Sequence, residues 1–205
     1  MSENTLHTAR QSFARRTARP GELLRLMAAA VRGSPDLNSR PSNLSIDRAF
    51  IERVMLAVSQ VNGCRYCLYG HTRAAFAAGV PEEEVAILLQ GELEGSPPEQ
   101  AVALLYAQHF AESHEQPDLQ ARQRLTDAYG EAGAARIQAS IYMITLGNLV
   151  GNTFDALGSR LQGRPAPTGS LLSELSVLAV AALGVLPLGL LMASRVIFAR
   201  LFARP

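Results

Sequence analysis

The two cysteines of this chain lie three residues apart, at Cys64 and Cys67, and His71 follows one helical turn later. On a helix that turns by about 100° per residue, the two cysteine side chains project within about 60° of each other, and His71 stacks on the same face. Cys64 would lie in the first helical turn, where unpaired backbone N–H groups and the helix dipole favour a thiolate. Such a pair can close and reopen a disulfide beside an imidazole that exchanges protons.

Other uses of the same residues have to be weighed. A Cys-x-x-Cys pair is a common half-site for zinc, in which His71 would be a third ligand and Glu52 or His109 the fourth. Structural zinc ribbons usually bring a second ligand pair from a separate knuckle, and the sequence has none, so we favour redox use and predict no metal and no cofactor. Two inert core cysteines, with His71 merely packed, are the remaining alternative.

Glu52 lies twelve residues before Cys64, on a predicted helix that is apolar nearly all round. If it is buried there, its carboxyl group can relay protons to a thiol. If it is exposed, it pairs with Arg48 four residues earlier and contributes little. Spacing alone leaves both interpretations open.

The elements that must position these residues are helices. Apolar residues recur at helical spacing between glycine- and proline-containing turns, and no segment alternates like a strand, so we predict an all-α fold. The predicted helices are Gly21–Arg32, Ile46–Gln60, Cys64–Ala78, Pro81 to near Gly91, Ser96–Ser113, Asp118–Tyr129 and a long one after Gly130 to Leu161.

We predict four regions along the chain: a flexible basic arm (1–20), a helical domain (21–162), a Gly- and Pro-rich linker (163–170) and a hydrophobic C-terminal helix (171–205). Within the last, the 19 residues from Leu175 to Ala193 carry no charge, which is long enough for a bilayer core. Pro187 and two glycines weaken that signal, and the alternatives are a helix in an oligomer interface or on a membrane surface.

Composition narrows the functional classes. Hydrophobic residues make up 48% of the 205, which supports a sizeable core, and the formal net charge is +1, which gives no field to attract nucleic acid. The N-terminus lacks the apolar run of a signal peptide. We therefore expect a cytoplasmic protein, associated with a membrane only if the C-terminal helix anchors it.

The motif Glu52…Cys64-x-x-Cys67-x-x-x-His71 on two successive helices resembles the alkylhydroperoxidase D-like branch of the carboxymuconolactone decarboxylase superfamily. Two further parts of this chain, Arg65-Tyr66 and the segment 79–85, are similar to the family's core. The segment 101–107 and the long helix with Asn148 and Asn152 resemble its downstream elements more loosely. The likeness covers roughly residues 21–161 and implies an alkylhydroperoxidase-like helical bundle.

This resemblance implies an antioxidant peroxidase or disulfide reductase cycle, in which Cys67 attacks a hydroperoxide and Cys64 resolves the sulfenic acid to a disulfide. It also implies a proton relay of Glu52 and His71, a lipoyl or thioredoxin-like dithiol donor, and a homo-oligomer, trimeric or hexameric. The best-studied members have histidine where this chain has Tyr66, which predicts slower turnover.

Tyr66 and Tyr69 flank the motif and are expected to line the substrate pocket. A non-enzymatic redox-sensing or adaptor module remains a rival, since it needs the same reversible disulfide. Lactone decarboxylation is disfavoured, because members with that activity lack the cysteine pair.

Overall fold

The computed structural model describes residues 15–38, 46–167 and 169–184, and the regular structure in these ranges is helical, without a β-strand. This confirms the all-α class. The helices are α1 (Pro20–Gly33), α2 (Arg48–Asn62), α3 (Arg65–Ala77), α4 (Glu82–Leu89), α5 (Ala101–Glu112), α6 (Leu119–Leu161) and α7 (residues 171–184), with 3-10 turns at Asp36–Asn38 and Pro98–Gln100.

Helix α2 is packed between α5 and α6 and carries part of the main core. It begins where the carboxylate of Asp47 accepts a hydrogen bond from the backbone N–H of Phe50 at 2.8 Å, and it ends at Gly63, whose φ of 66° is left-handed. The main core consists of fully or almost fully buried side chains from the three helices, among them Phe50, Val54, Val58, Leu104, Phe110, Ile137 and Ile141. Because α2 is fixed on both sides, the turn that leads from it into α3 is fixed as well.

Helix α6 is the longest element and bends once. The carboxylate of Asp118 accepts a hydrogen bond from the N–H of Ala121 at 2.7 Å and caps its first turn. Gly130 interrupts the helical geometry with φ 67° and ψ 170°, so two helical segments meet there at a kink. The second segment, from there to Leu161, passes beside the start of α3.

Helix α7 packs on the domain. Val177 and Ala181 are buried against Leu23 of α1 and Leu149 of α6. These residues belong to the segment 171–205 that the sequence assigns to a hydrophobic C-terminal helix, so the first part of that segment covers the domain surface.

No helix within the ranges 15–38, 46–167 and 169–184 is long and apolar enough to cross a membrane. Residues 185–205, which hold the rest of the predicted anchor, lie outside the described residues.

The segment before α1 is also packed, although the sequence assigns residues 1–20 to an arm. The backbone N–H of Ala18 donates to Oγ1 of Thr153 at 3.2 Å, and Arg16 donates two hydrogen bonds to Glu115, at 2.6 and 2.7 Å. The packed region therefore begins before Gly21, and residues 1–14 lie outside the described residues.

Candidate active site

Cys64 and Cys67 form a disulfide at the start of α3, with their Cα atoms 5.3 Å apart. Gly63 ends α2 in a left-handed turn, which makes Cys64 the N-cap residue of α3; its sulfur accepts a hydrogen bond from the N–H of Cys67 at 3.3 Å. The two sulfurs therefore share one helical edge, as the spacing predicted. Their surroundings differ, because Cys64 is 0% exposed and Cys67 is partly exposed.

His71 and Glu52 are joined by a hydrogen bond of 2.7 Å between Nδ1 and Oε2. Glu52 is 8% exposed, so it is buried rather than exposed, and its other oxygen also lies 3.8 Å from Nε of Arg48. A carboxylate can only accept, so the proton of this bond belongs to Nδ1 of His71. The other ring nitrogen, Nε2, is then the one that can exchange a proton with a group in the neighbouring cavity.

A cavity of about 490 Å³ opens beside Cys67. Its lining is mainly apolar and comes from α3, α6 and α7: Tyr66, Cys67, Gly70, His71, Gly147, Val150, Gly151, Phe154 and Leu178. Such a cavity can hold an apolar group next to the sulfur and the imidazole.

The two tyrosines that were expected to line the pocket lie in different places. Tyr66 lines the cavity and makes an edge-on contact with Phe154, with ring centroids 6.1 Å apart. Tyr69 is 67% exposed, lies outside the lining and accepts a hydrogen bond from Arg73 at 3.0 Å. The expectation for Tyr69 is corrected: on the helix, its position is turned away from the face that Cys67 and His71 share.

Gly151 of α6 lies close to the disulfide, although nothing in the sequence pattern predicts a role for it. A Cβ atom at this position would lie 2.9 Å from Sγ of Cys64 and 3.9 Å from Sγ of Cys67. The absence of a side chain is what lets α6 pass so close to the sulfurs. Gly147, one turn earlier on the same helix, does not mark such an approach, because a Cβ there would meet nothing within 4 Å.

Asp155, also on α6, bonds to three side chains at the edge of the cavity, and the sequence pattern does not predict this role either. Its carboxylate accepts from the guanidinium groups of Arg15 and Arg65 and from the Tyr66 hydroxyl at 3.3 Å. Arg65 also donates to the Tyr66 oxygen at 2.8 Å, and this bond, together with the charge of Asp155, raises the pKa of Arg65. These contacts place the Tyr66 hydroxyl beside Asp155 at the edge of the cavity.

A buried amide links α6 to the end of α2. Nδ2 of Asn152 donates to the backbone oxygen of Asn62 at 2.7 Å and to that of Arg16 at 3.0 Å. One turn earlier, Asn148 accepts from the hydroxyl of Ser59 at 3.0 Å. These bonds fix the last turn of α2, and with it the position of the turn that presents the cysteines.

The zinc alternative needs four ligands, and the described part of the chain contains no group of three or more His, Cys, Asp or Glu side chains arranged to hold a metal ion. His109, the suggested fourth ligand, pairs with Asp118 at 3.2 Å where α5 is followed by α6. The suggested ligand Glu52 pairs with His71.

The fold and the site define a helical domain with a Cys-x-x-Cys pair and a Glu–His pair on adjacent helices. Residues 42–109 match the family described as the carboxymuconolactone decarboxylase family, a range of about a third of the chain that contains Glu52, Cys64, Cys67 and His71. Over that range the match confirms the resemblance drawn from the sequence, and the matched family includes alkylhydroperoxidase-like enzymes as well as decarboxylases. Comparison with curated proteins and with solved structures gives no significant match.

Proposed function

We propose that this chain is a thiol peroxidase of the alkylhydroperoxidase type, which reduces hydroperoxides through its two cysteines. The observation that carries the proposal is the unequal environment of the pair. Cys67 reaches a cavity large enough for a small organic molecule, whereas Cys64 is buried behind it. This arrangement suits an attacking sulfur that meets the substrate and a resolving sulfur that does not.

In the first step of the proposed cycle, the thiolate of Cys67 attacks the terminal oxygen of ROOH. The O–O bond breaks, ROH leaves after taking up a proton, and Cys67 becomes a sulfenic acid. In the second step the thiol of Cys64 attacks that sulfur, so that the disulfide forms and water leaves. A dithiol of the lipoyl or thioredoxin type then reduces the disulfide through a mixed disulfide and becomes oxidised itself.

The Glu52–His71 pair supplies the proton transfers that this cycle needs. With Nδ1 of His71 bonded to Glu52, Nε2 can accept the proton of the Cys67 thiol and return it to the leaving alkoxide. Tyr66 stands where the best-studied relatives carry a histidine, and its hydroxyl already contacts Arg65 and Asp155. We therefore expect Tyr66 to form a wall and the relay to pass through His71.

The test is a single-turnover assay. Fully reduced protein is mixed with cumene hydroperoxide in a stopped-flow instrument, and sulfenic acid is trapped with dimedone in wild type, Cys64→Ser and Cys67→Ser. We expect rapid peroxide consumption in wild type, a dimedone adduct on Cys67 in Cys64→Ser, and no reaction in Cys67→Ser.

Other outcomes identify the rivals. Oxidation of Cys67 no faster than that of a free thiol, with a disulfide that still cycles, would reject peroxidase activity in favour of a redox-sensing or adaptor module. Stoichiometric zinc with no titratable thiols in the purified protein would reject redox use altogether.

A further inference from the structure

We propose that Leu178 of α7 sets the size of the organic group that can reach Cys67. The inference rests on the proposed peroxidase function, because it assigns a specificity residue to that site. Leu178 is the one contribution of α7 to the lining of the cavity, among the residues that the structure describes. Leu178 lies outside the range 42–109 that matches the family.

Helix α7 is held in place by contacts on both sides of Leu178. On the N-terminal side, Glu174 is 2% exposed and accepts two hydrogen bonds of 2.8 Å from the guanidinium group of Arg160, which also donates to the backbone oxygen of Gly169. Val177 and Ala181 are buried against α1 and α6. A wall residue on a helix fixed in this way has a defined position, which size selection requires.

The neighbours of Leu178 in the lining explain why selection would be by size. Val150 and Phe154 are apolar, and Gly147 and Gly151 add no side chain. Such a lining has few polar groups with which to recognise a substrate. It therefore discriminates between substrates by whether their organic group fits the volume of the cavity. Differences of one or a few methylene groups in an apolar pocket change kcat/KM by about 10- to 200-fold.

The experiment measures the access of two probes of different size to the reduced sulfur. In the Cys64→Ser background, Cys67 is alkylated with iodoacetamide and with the bulky N-(1-pyrenyl)maleimide, and the ratio of the two rates is the readout. The variants are Leu178→Ala and Leu178→Phe. Leu172→Ala is the matched control, since Leu172 is on the same helix, 77% exposed and outside the lining.

We expect the bulky-to-small rate ratio to rise by about tenfold in Leu178→Ala and to fall in Leu178→Phe, with no change in Leu172→Ala. Equal ratios in all folded variants would overturn the proposal, as would an equal rise in the control. If Leu178→Ala does not fold, the smaller change Leu178→Val, which should raise the ratio, and Leu178→Phe, which should lower it, still decide the question.

Peroxide kinetics then separate this inference from the proposed function. With cumene hydroperoxide and hydrogen peroxide as substrates, the ratio of kcat/KM values should shift in the same direction as the alkylation ratio. A shifted alkylation ratio without peroxide turnover would refute the peroxidase function and still support the role of Leu178 in size selection. Peroxide turnover with unchanged alkylation and kcat/KM ratios would refute the role of Leu178 and leave the peroxidase function intact.

Discussion

The close approach of α6 to the disulfide makes Gly151→Ala an informative perturbation. The new methyl carbon would lie 2.9 Å from Sγ of Cys64, well inside the usual contact distance, and Cys64 is fully buried and tied to Cys67. The disulfide therefore cannot move aside without displacing the start of α3. In the reduced protein the Cys64 sulfur can rotate about its χ1 bond and relieve the contact. We expect the substitution to destabilise the oxidised form more than the reduced form.

The size of the effect follows from two opposing terms. Extra volume in a packed interior costs about 1–3 kcal/mol, and alanine for glycine inside a helix returns about 1 kcal/mol. The second term acts on both redox forms and cancels in the reduction potential, which leaves the first. Since 30 mV corresponds to about 1.4 kcal/mol for a two-electron couple, a difference of about 1–3 kcal/mol raises the potential by about 20–60 mV.

The assay is a redox titration of the cysteine pair in dithiothreitol buffers, followed by thiol labelling. Gly158→Ala is the matched control, because Gly158 is in the same helix and a Cβ there would meet nothing within 4 Å. The control should keep the wild-type potential and gain stability from the helix term. A potential for Gly151→Ala that equals that of the control, or is more negative, would refute the reasoning.

Three further outcomes are expected. Glu52→Gln should lower the single-turnover rate with hydroperoxide by about 10²-fold or more, because the imidazole loses its carboxylate partner, while the exposed Glu83→Gln keeps the wild-type rate. Arg53→Met should lower the free energy of unfolding in urea by about 3–5 kcal/mol, because it leaves Glu84 buried and unpaired, and Arg53→Met/Glu84→Leu should recover most of that loss. The backbone N–H of Ala121, which donates to the carboxylate of Asp118, lowers the pKa of that group below its usual 3.8. The hydrogen bond therefore stabilises the folded protein fully above pH 3.8, and this stabilisation is lost as the pH falls through the lower pKa of the folded state. Asp118→Ala should remove this part of the acid dependence of Tm.

Local signals were sufficient to predict most helices near the site. The spacing predicted a helix from Cys64 to Ala78, and the structure has α3 at Arg65–Ala77 with Cys64 as its N-cap. Gly130 was predicted to separate two helices, and the chain bends there. These features depend on the backbone preferences of a few adjacent residues, which the sequence displays directly.

Two predicted helix starts differ from the structure, and a capping side chain explains one of them. The helix predicted from Ile46 begins at Arg48, because the carboxylate of Asp47 accepts the N–H of Phe50 and takes the N-cap position. The helix predicted from Ser96 begins as a 3-10 turn at Pro98–Gln100, and the α-helix follows it.

The walls of the site could not be predicted, because they are made by tertiary packing. Gly151, Asp155 and Leu178 lie between 84 and 114 residues after Cys64 or Cys67, and no pattern along the chain shows which turn of α6 crosses the start of α3. The burial of Glu52 and its bond to His71 were also undecided from spacing, since its i,i+4 partner Arg48 is present as well. Each of these contacts depends on how two distant helices meet.

The division between predicted and unpredicted residues coincides with a division in the chain. The segment 42–109 contributes the sulfurs, the imidazole and the carboxylate, whereas α6 and α7 contribute most of the apolar lining. A motif of short spacing therefore indicates which atoms could react, whereas most of the apolar lining beside them comes from helices outside the family match. For the proposed peroxidase, we expect Leu178→Ala to change the ratio of kcat/KM values for cumene hydroperoxide and hydrogen peroxide while the reduction potential of the cysteine pair stays the same. Gly151→Ala should instead change the reduction potential.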